Sequence, residues 1–138
     1  MATAVKYESF IEFVVNALVD VFGTTDTFKI AICSDAPVAG TDDEMADRTQ
    51  ITGTGYTALG GDIQNDSTRT GGTVTMTAVD FVWTATAADW TAGRYLPIHD
   101  DTSTTDKLMV DYDYAGNFTV GNGETFTADF GASLATFA

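Results

Sequence analysis

The sequence predicts a mainly β protein: an antiparallel β-sandwich, jelly-roll-like, with one N-terminal amphipathic helix and long loops. Three observations carry this expectation. A helical period occurs in one segment alone, the remainder alternates in short runs broken by glycine, and 24 threonines are spread through those runs. A β-branched side chain bearing a hydroxyl suits an exposed strand face, because it tolerates both the pleat and water.

Between Tyr7 and Phe22 the apolar residues Phe10, Phe13, Val14, Ala17, Leu18 and Val21 recur at steps of three and four, with Glu8, Glu12, Asn16 and Asp20 opposite. This spacing predicts a helix of about four turns, ended by Gly23 at its C′ position and covering one face or end of the sheet. Phe28-Lys29-Ile30-Ala31-Ile32-Cys33 reads as a strand closed by the turn Ser34-Asp35-Ala36-Pro37, and residues 73–79 alternate polar and apolar. Residues 108–114, 117–120 and 125–130 form further short strands, separated by Gly116 and by Gly121-Asn122-Gly123. Two stretches lack a period: the Asp-rich residues 36–47, and residues 53–72 with six glycines and a short strand expected around Tyr56. Loops of this length in a compact domain are commonly functional, so both are candidate contact arms toward neighbouring subunits. No internal repeat or shift in composition divides the chain. Residues 1–138 are therefore read as one domain, with 1–23 as an arm and helix and 26–138 as the sandwich.

Six basic against 20 acidic residues give a formal net charge of −14, while 44% hydrophobic content supplies a core that a disordered acidic chain lacks. The charge excludes nucleic acid, whose phosphates need Lys and Arg to displace counterions, and an anionic membrane surface for the same reason. No run approaches the ~18 continuous apolar residues of a membrane span, and Glu8 and Glu12 interrupt any secretory signal core. The single Cys33 lies in an apolar run and is read as a small buried hydrophobe in a chain that folds in a reducing compartment.

Catalysis is not expected. His99 is the only histidine and is read as an ordinary loop residue after the apolar stretch 95–98; no serine occupies a Gly-x-Ser-x-Gly elbow. One His and one distant Cys are not a transition-metal spacing. Asp42-Asp43-Glu44, Asp100-Asp101 and the Asp111/Asp113 pair offer oxygen ligands of the kind Ca²⁺ takes, yet none has EF-hand spacing, and they are read as solvated acidic surface. The glycines at 53, 55, 60 and 61 are not followed by the Gly-Lys-Ser/Thr of a phosphate loop. No catalytic residue, cofactor or metal is thus expected. Phe81, Trp83, Trp90 and Tyr95 cluster in one segment. They form either a core strand followed by a turn that packs its Trp onto the sheet, or an exposed aromatic pair that binds sugar or a protein neighbour.

The order of blocks along the chain is informative. An N-terminal helix is followed by Asp26-Thr27-Phe28-Lys29-Ile30-Ala31-Ile32 with Ala36-Pro37, by Thr52-Gly53-Thr54-Gly55-Tyr56-Thr57-Ala58-Leu59-Gly60-Gly61, and by Asp80-Phe81-Val82-Trp83-Thr84. Ala92-Gly93-Arg94-Tyr95 and Gly123-Glu124-Thr125-Phe126-Thr127-Ala128-Asp129-Phe130 complete it. In this order the chain resembles small structural proteins of tailed bacteriophages, most of all the capsid decoration or cement proteins. The resemblance implies a non-enzymatic virion component on the outer capsid surface, made in the host bacterial cytoplasm. It would clamp subunits of the major capsid protein as a homo-oligomer, a trimer being favoured. The alternative is a carbohydrate- or receptor-binding module of a tail or head fibre. Under this reading the candidate subunit or capsid contacts are Lys6, Arg48, Arg69, Trp83, Trp90 and Arg94. One departure from the group is Leu96-Pro97-Ile98, where relatives carry an unbroken apolar strand; a proline removes a ladder donor and predicts an edge or shortened strand there.

Overall fold

In the computed structural model, residues 3–21 and 25–138 are described. They form, in order, β1 (Thr3–Lys6), α1 (Ser9–Val15), β2 (Phe28–Ile30), a 3₁₀ turn (Met45–Asp47), β3 (Gly61–Asp62), β4 (Asp66–Thr70) and β5 (Thr73–Thr77). The chain continues through β6 (Phe81–Thr84), β7 (Trp90–Asp100), β8 (Lys107–Val120), β9 (Thr125–Ala128) and β10 (Ala135–Phe137). Every strand pairing is antiparallel. The main sheet has the order β1-β8-β7-β2-β3, and two smaller sheets, β10-β5-β4 and β6-β9, form the remaining strand pairs. The fold is therefore mainly β and sandwich-like, with no closed barrel among the described residues.

Alternation along the second strand sets the layering. Phe28, Ile30 and Ile32 enter a large core with Leu96 and Ile98 of β7, Phe10 and Phe13 of α1, Met76 of β5 and Trp83 of β6. Ala31 and Cys33 belong to a second cluster with Tyr7, Met45, Tyr95 and Leu108. A period of two sends successive side chains to opposite faces, so the main sheet is buried on both. The smaller sheets and α1 cover one face, and the segment 34–50 covers the other.

The helix is shorter than predicted. It ends at Val15 in a Schellman turn: Leu18 N–H donates to the Phe13 carbonyl at 2.9 Å and Ala17 N–H to the Val14 carbonyl at 3.1 Å, with Ala17 at φ +55°. The expected stop at Gly23 lies outside the described residues. Val19 and Val21 still reach the core, from a non-helical segment, which is why their spacing continues the helical stripe. The first residues described are also not a separate arm, because β1 pairs with β8 as an edge strand of the main sheet.

Pro97 does not mark an edge. It sits inside the eleven-residue β7, between β8 and the second strand, where Ala31 N–H still donates to the Pro97 carbonyl at 3.0 Å. The proline thus removes one donor from the pair and leaves the other bond in place. The predicted strands 108–114 and 117–120 are one strand: four residues bulge out between Asp113, opposite Tyr95, and Phe118, opposite Gly93, and Ala115 takes φ +67°. Residues 53–72 are not all loop. They contain β3 and β4, and the β4–β5 hairpin closes through Gly71-Gly72 with Thr70 opposite Thr73. Tyr56 lies in no strand; its hydroxyl accepts from Ile32 N–H at 3.0 Å and pins the preceding loop.

Close approach explains two glycines of that stretch. A Cβ on Gly53 would lie 2.3 Å from the Trp90 ring, and one on Gly60, at φ +72°, would lie 1.7 Å from the Ile30 carbonyl oxygen. Gly116 faces open space. Gly60→Ala is expected to cost about 3 kcal/mol or more, combining a backbone clash with left-handed strain, whereas Gly116→Ala stays within about 0.5 kcal/mol of the parent. Urea denaturation of both variants checks this. Ala17→Gly is expected to stabilise by about 0.5–1 kcal/mol, since relief of left-handed strain exceeds the added unfolded-state entropy; a rise in thermal midpoint is the readout.

Candidate functional site

The face covered by segment 34–50 holds the densest polar cluster. Asp111 projects from β8 with a fully buried carboxylate, amid Leu108, Met109 and Val110 in sequence. Its Oδ2 accepts from Arg48 Nη2 at 2.9 Å and from the Tyr7 hydroxyl at 3.1 Å, and its Oδ1 accepts from Leu96 N–H at 3.0 Å. Arg48 in turn donates through Nη1 to Asp35 Oδ2 at 3.0 Å and Asp42 Oδ2 at 3.4 Å, and through Nη2 to the Asp35 carbonyl at 2.8 Å. The two carboxylates also order their own loop, Asp35 accepting from Thr49 N–H and Asp42 from Val38 N–H, both at 2.8 Å. Residues 36–47 are therefore docked on the sheet. Glu8 N–H donates to the Ala39 carbonyl, Leu108 N–H to that of Asp43 and Met45 N–H to that of Asp106.

Burial pushes the Asp111 carboxyl up to about 6, against the pull of the Arg48 guanidinium, the Tyr7 hydroxyl and the Leu96 N–H. Burial likewise raises the Cys33 thiol, so it is protonated at neutral pH and lacks the thiolate a nucleophile needs. Asp113, two residues along the same face, forms a bidentate pair with Arg94, Nε to Oδ1 at 2.8 Å and Nη2 to Oδ2 at 3.0 Å. The guanidinium carbons of Arg48 and Arg94 lie over the Tyr95 ring at 6.0 and 5.0 Å.

The six residues predicted as contacts divide by burial. Arg48, Trp83 and Trp90 are 6%, 4% and 1% exposed and offer a neighbour no surface, which corrects the expectation for all three. Trp90 donates its indole N–H to the Thr54 carbonyl at 3.0 Å and meets Tyr56 edge-on at 5.8 Å; Trp83 lies between Phe81 and Phe126. Arg94 is half-buried on Asp113, while Lys6 and Arg69 are exposed. Among the described residues no ion pair involves Lys6 or Arg69, whereas Lys29, Arg48, Arg94 and Lys107 are each engaged. His99 is also corrected: it is a buried residue of β7, not a loop residue. Asp111 is likewise corrected, being fully buried and not solvated surface; its place directly after the apolar run Leu108-Met109-Val110 is the signal for a buried counterion, and Tyr7, Asp35 and Asp42 join Arg48 in the cluster around it.

An open apolar cleft of about 580 Å³ lies on the opposite face, lined among others by Ala4, Tyr112, Tyr114, Phe126, Phe130 and Leu134. Phe118 and Phe126 stack at 4.3 Å, and Tyr114, carried on the β8 bulge and half-exposed, meets both rings edge-on. This is the aromatic feature that remains available to a partner.

Arg48→Met leaves Asp111 buried without its counterion and is expected to cost about 3–5 kcal/mol at pH 8. Without Arg48 the Asp111 carboxyl rises further in the folded state while its unfolded value stays near 3.9. The folded state then holds a proton the unfolded state has lost, so stability falls as pH rises through that interval. The deficit against the parent therefore shrinks toward pH 5, as urea titrations at both pH values should show. No protein-family model, no curated protein and no solved structure matches the chain.

Proposed function

We propose that this chain is a non-catalytic structural component of a bacteriophage virion, a capsid decoration protein that binds the outer shell and stabilises contacts between major capsid subunits. One observation carries the reading: the fold spends its chemically capable side chains on itself. Both indoles, the cysteine and Arg48 are consumed in internal contacts. What faces outward is an acidic, threonine-rich surface, two exposed basic residues without ion pairs, and an apolar cleft beside the β1 edge. Such a surface suits a protein that stays dispersed at high copy number and fastens through many repeated contacts. The resemblance of its sequence blocks, in their order, to those of phage structural proteins supports the same role.

Within this reading Lys6 and Arg69 meet the capsid, and the cleft with Tyr114 at its rim meets a second copy, giving a trimer. A half-exposed tyrosine over packed rings is the kind of anchor that interfaces use. The fibre-borne receptor-binding alternative cannot use Trp83 and Trp90 as a sugar platform, because both are buried.

Light scattering of the purified chain should give a trimer mass that falls to the monomer in Tyr114→Ala. Lys6→Glu with Arg69→Glu should weaken attachment to particles several-fold and reduce its salt dependence. Density for the chain on the shell in cryo-EM of particles is the expected result; density confined to the tail, or none, overturns the assignment. Glycan binding lost in Tyr114→Ala would instead favour the fibre module.

A further inference from the structure

His99 lies near the turn end of the β7–β8 hairpin, opposite Leu108. Its side chain is fully buried, and Nε2 sits 3.0 Å from the Leu59 carbonyl oxygen. A carbonyl only accepts, so Nε2 carries the proton, and in the neutral ring the lone pair is on Nδ1. Among the described residues Nδ1 has no hydrogen-bond partner, although it is buried. It points toward the turn joining β7 to β8, where Asp106 Oδ1 lies 3.9 Å away, and one oxygen each of Asp101 and Asp106 lies with a ring nitrogen of His99 in a group whose members are all within 4.8 Å of one another. A lone pair facing two carboxylates is repulsive, and Lys29 Nζ, 2.7 Å from Asp101 Oδ2, offsets only part of that charge.

We propose that His99 Nδ1, Asp101 and Asp106 form a binding site for a divalent cation of the zinc class. The donor set selects the metal: an imidazole nitrogen suits zinc and its first-row neighbours, whereas Ca²⁺ and Mg²⁺ take oxygens. Tetrahedral donors about 2.1 Å from a centre stand about 3.4 Å apart, so the two half-exposed carboxylates need to close by about an ångström, and water supplies the fourth position. The outer arrangement is of the kind metal-binding histidines use, with the second ring nitrogen donating to a backbone carbonyl. That carbonyl is itself held, since the N–H of the same peptide group, that of Gly60, donates to the Thr57 carbonyl at 2.9 Å. Lys29 Nζ, 2.7 Å from Asp101 Oδ2, is the competing cation and tempers the affinity. The bound ion would tie the turn 101–106 to the end of β7.

The chain contains one histidine, so its imidazole ¹⁵N signals are unambiguous. Adding Zn²⁺ alone to the intact protein should move the Nδ1 resonance, saturate at one equivalent with micromolar affinity by calorimetry, and raise the thermal midpoint by mass action. Asp106→Asn keeps a residue that tolerates the φ of +51° found there; it should fold normally and weaken Zn²⁺ binding at least about tenfold. Lys29→Gln should strengthen binding several-fold. An imidazole already doubly protonated at pH 7, a Nδ1 signal unmoved by millimolar Zn²⁺, or binding undiminished in Asp106→Asn would each overturn the proposal.

Discussion

The pairing of Asp111 with Arg48 is the constraint on which the rest of the molecule leans. A carboxylate taken fully out of water costs several kcal/mol unless its lone pairs and charge are met, and here a guanidinium, a phenol and a backbone N–H meet them. Each partner belongs to a different part of the chain. Tyr7 fixes the junction of β1 and α1, Leu96 lies in the central β7, and Arg48 brings the whole of segment 34–50 with it through Asp35 and Asp42. The second face of the sheet is thereby covered without a second sheet. That solution needs polar convergence, because the covering segment supplies few large apolar side chains; Met45 is its main contribution to the cluster beneath.

Much of the architecture was legible from period and punctuation. The strand beginning at Phe28, shorter in the structure (Phe28–Ile30) than the predicted 28–33, the alternation after Thr73 and the β9 run all carry apolar side chains at alternate positions, and hydrophobic periodicity reports that directly. What it missed has physical causes. β4, Asp-Ser-Thr-Arg-Thr, is exposed or half-exposed along its whole length and so has no apolar face to announce it. β1 is an edge strand and similarly silent. The helix was overextended because Val19 and Val21 reach the core from a non-helical segment and continue the stripe past the turn at Ala17. Pro97 misled because a donor lost on one side of a long hairpin is tolerated when register is held by its neighbours. The candidate contacts were the least legible: Trp and Arg are as suited to a partner as to an interior, and only the close approach of glycines to the rings, as at Gly53 under Trp90, separates the two.

The burial of these residues changes how the charge of the chain is understood. Of the six basic side chains, four are engaged by carboxylates within the fold. The surface is consequently more uniformly acidic than the bare count implies, and the exposed Lys6 and Arg69 stand out against it. For a protein proposed to coat a shell, such a surface disfavours self-association through charge and leaves attachment to shape, apolar area and a small number of cations. Affinity of that kind accumulates by repetition around a symmetric particle.

The Tyr7 hydroxyl and the Asp111 carboxylate are 104 residues apart in sequence, and among the described residues β1 pairs with β8 alone. On a ribosome the early segment therefore waits, its edge unpaired, until β8 has been made. Folding is a late, concerted event dominated by long-range closure, of the kind that is slow and exposes sticky intermediates. A strongly negative chain has a use for its charge at that moment: mutual repulsion keeps unfinished copies apart while each waits for its own β8.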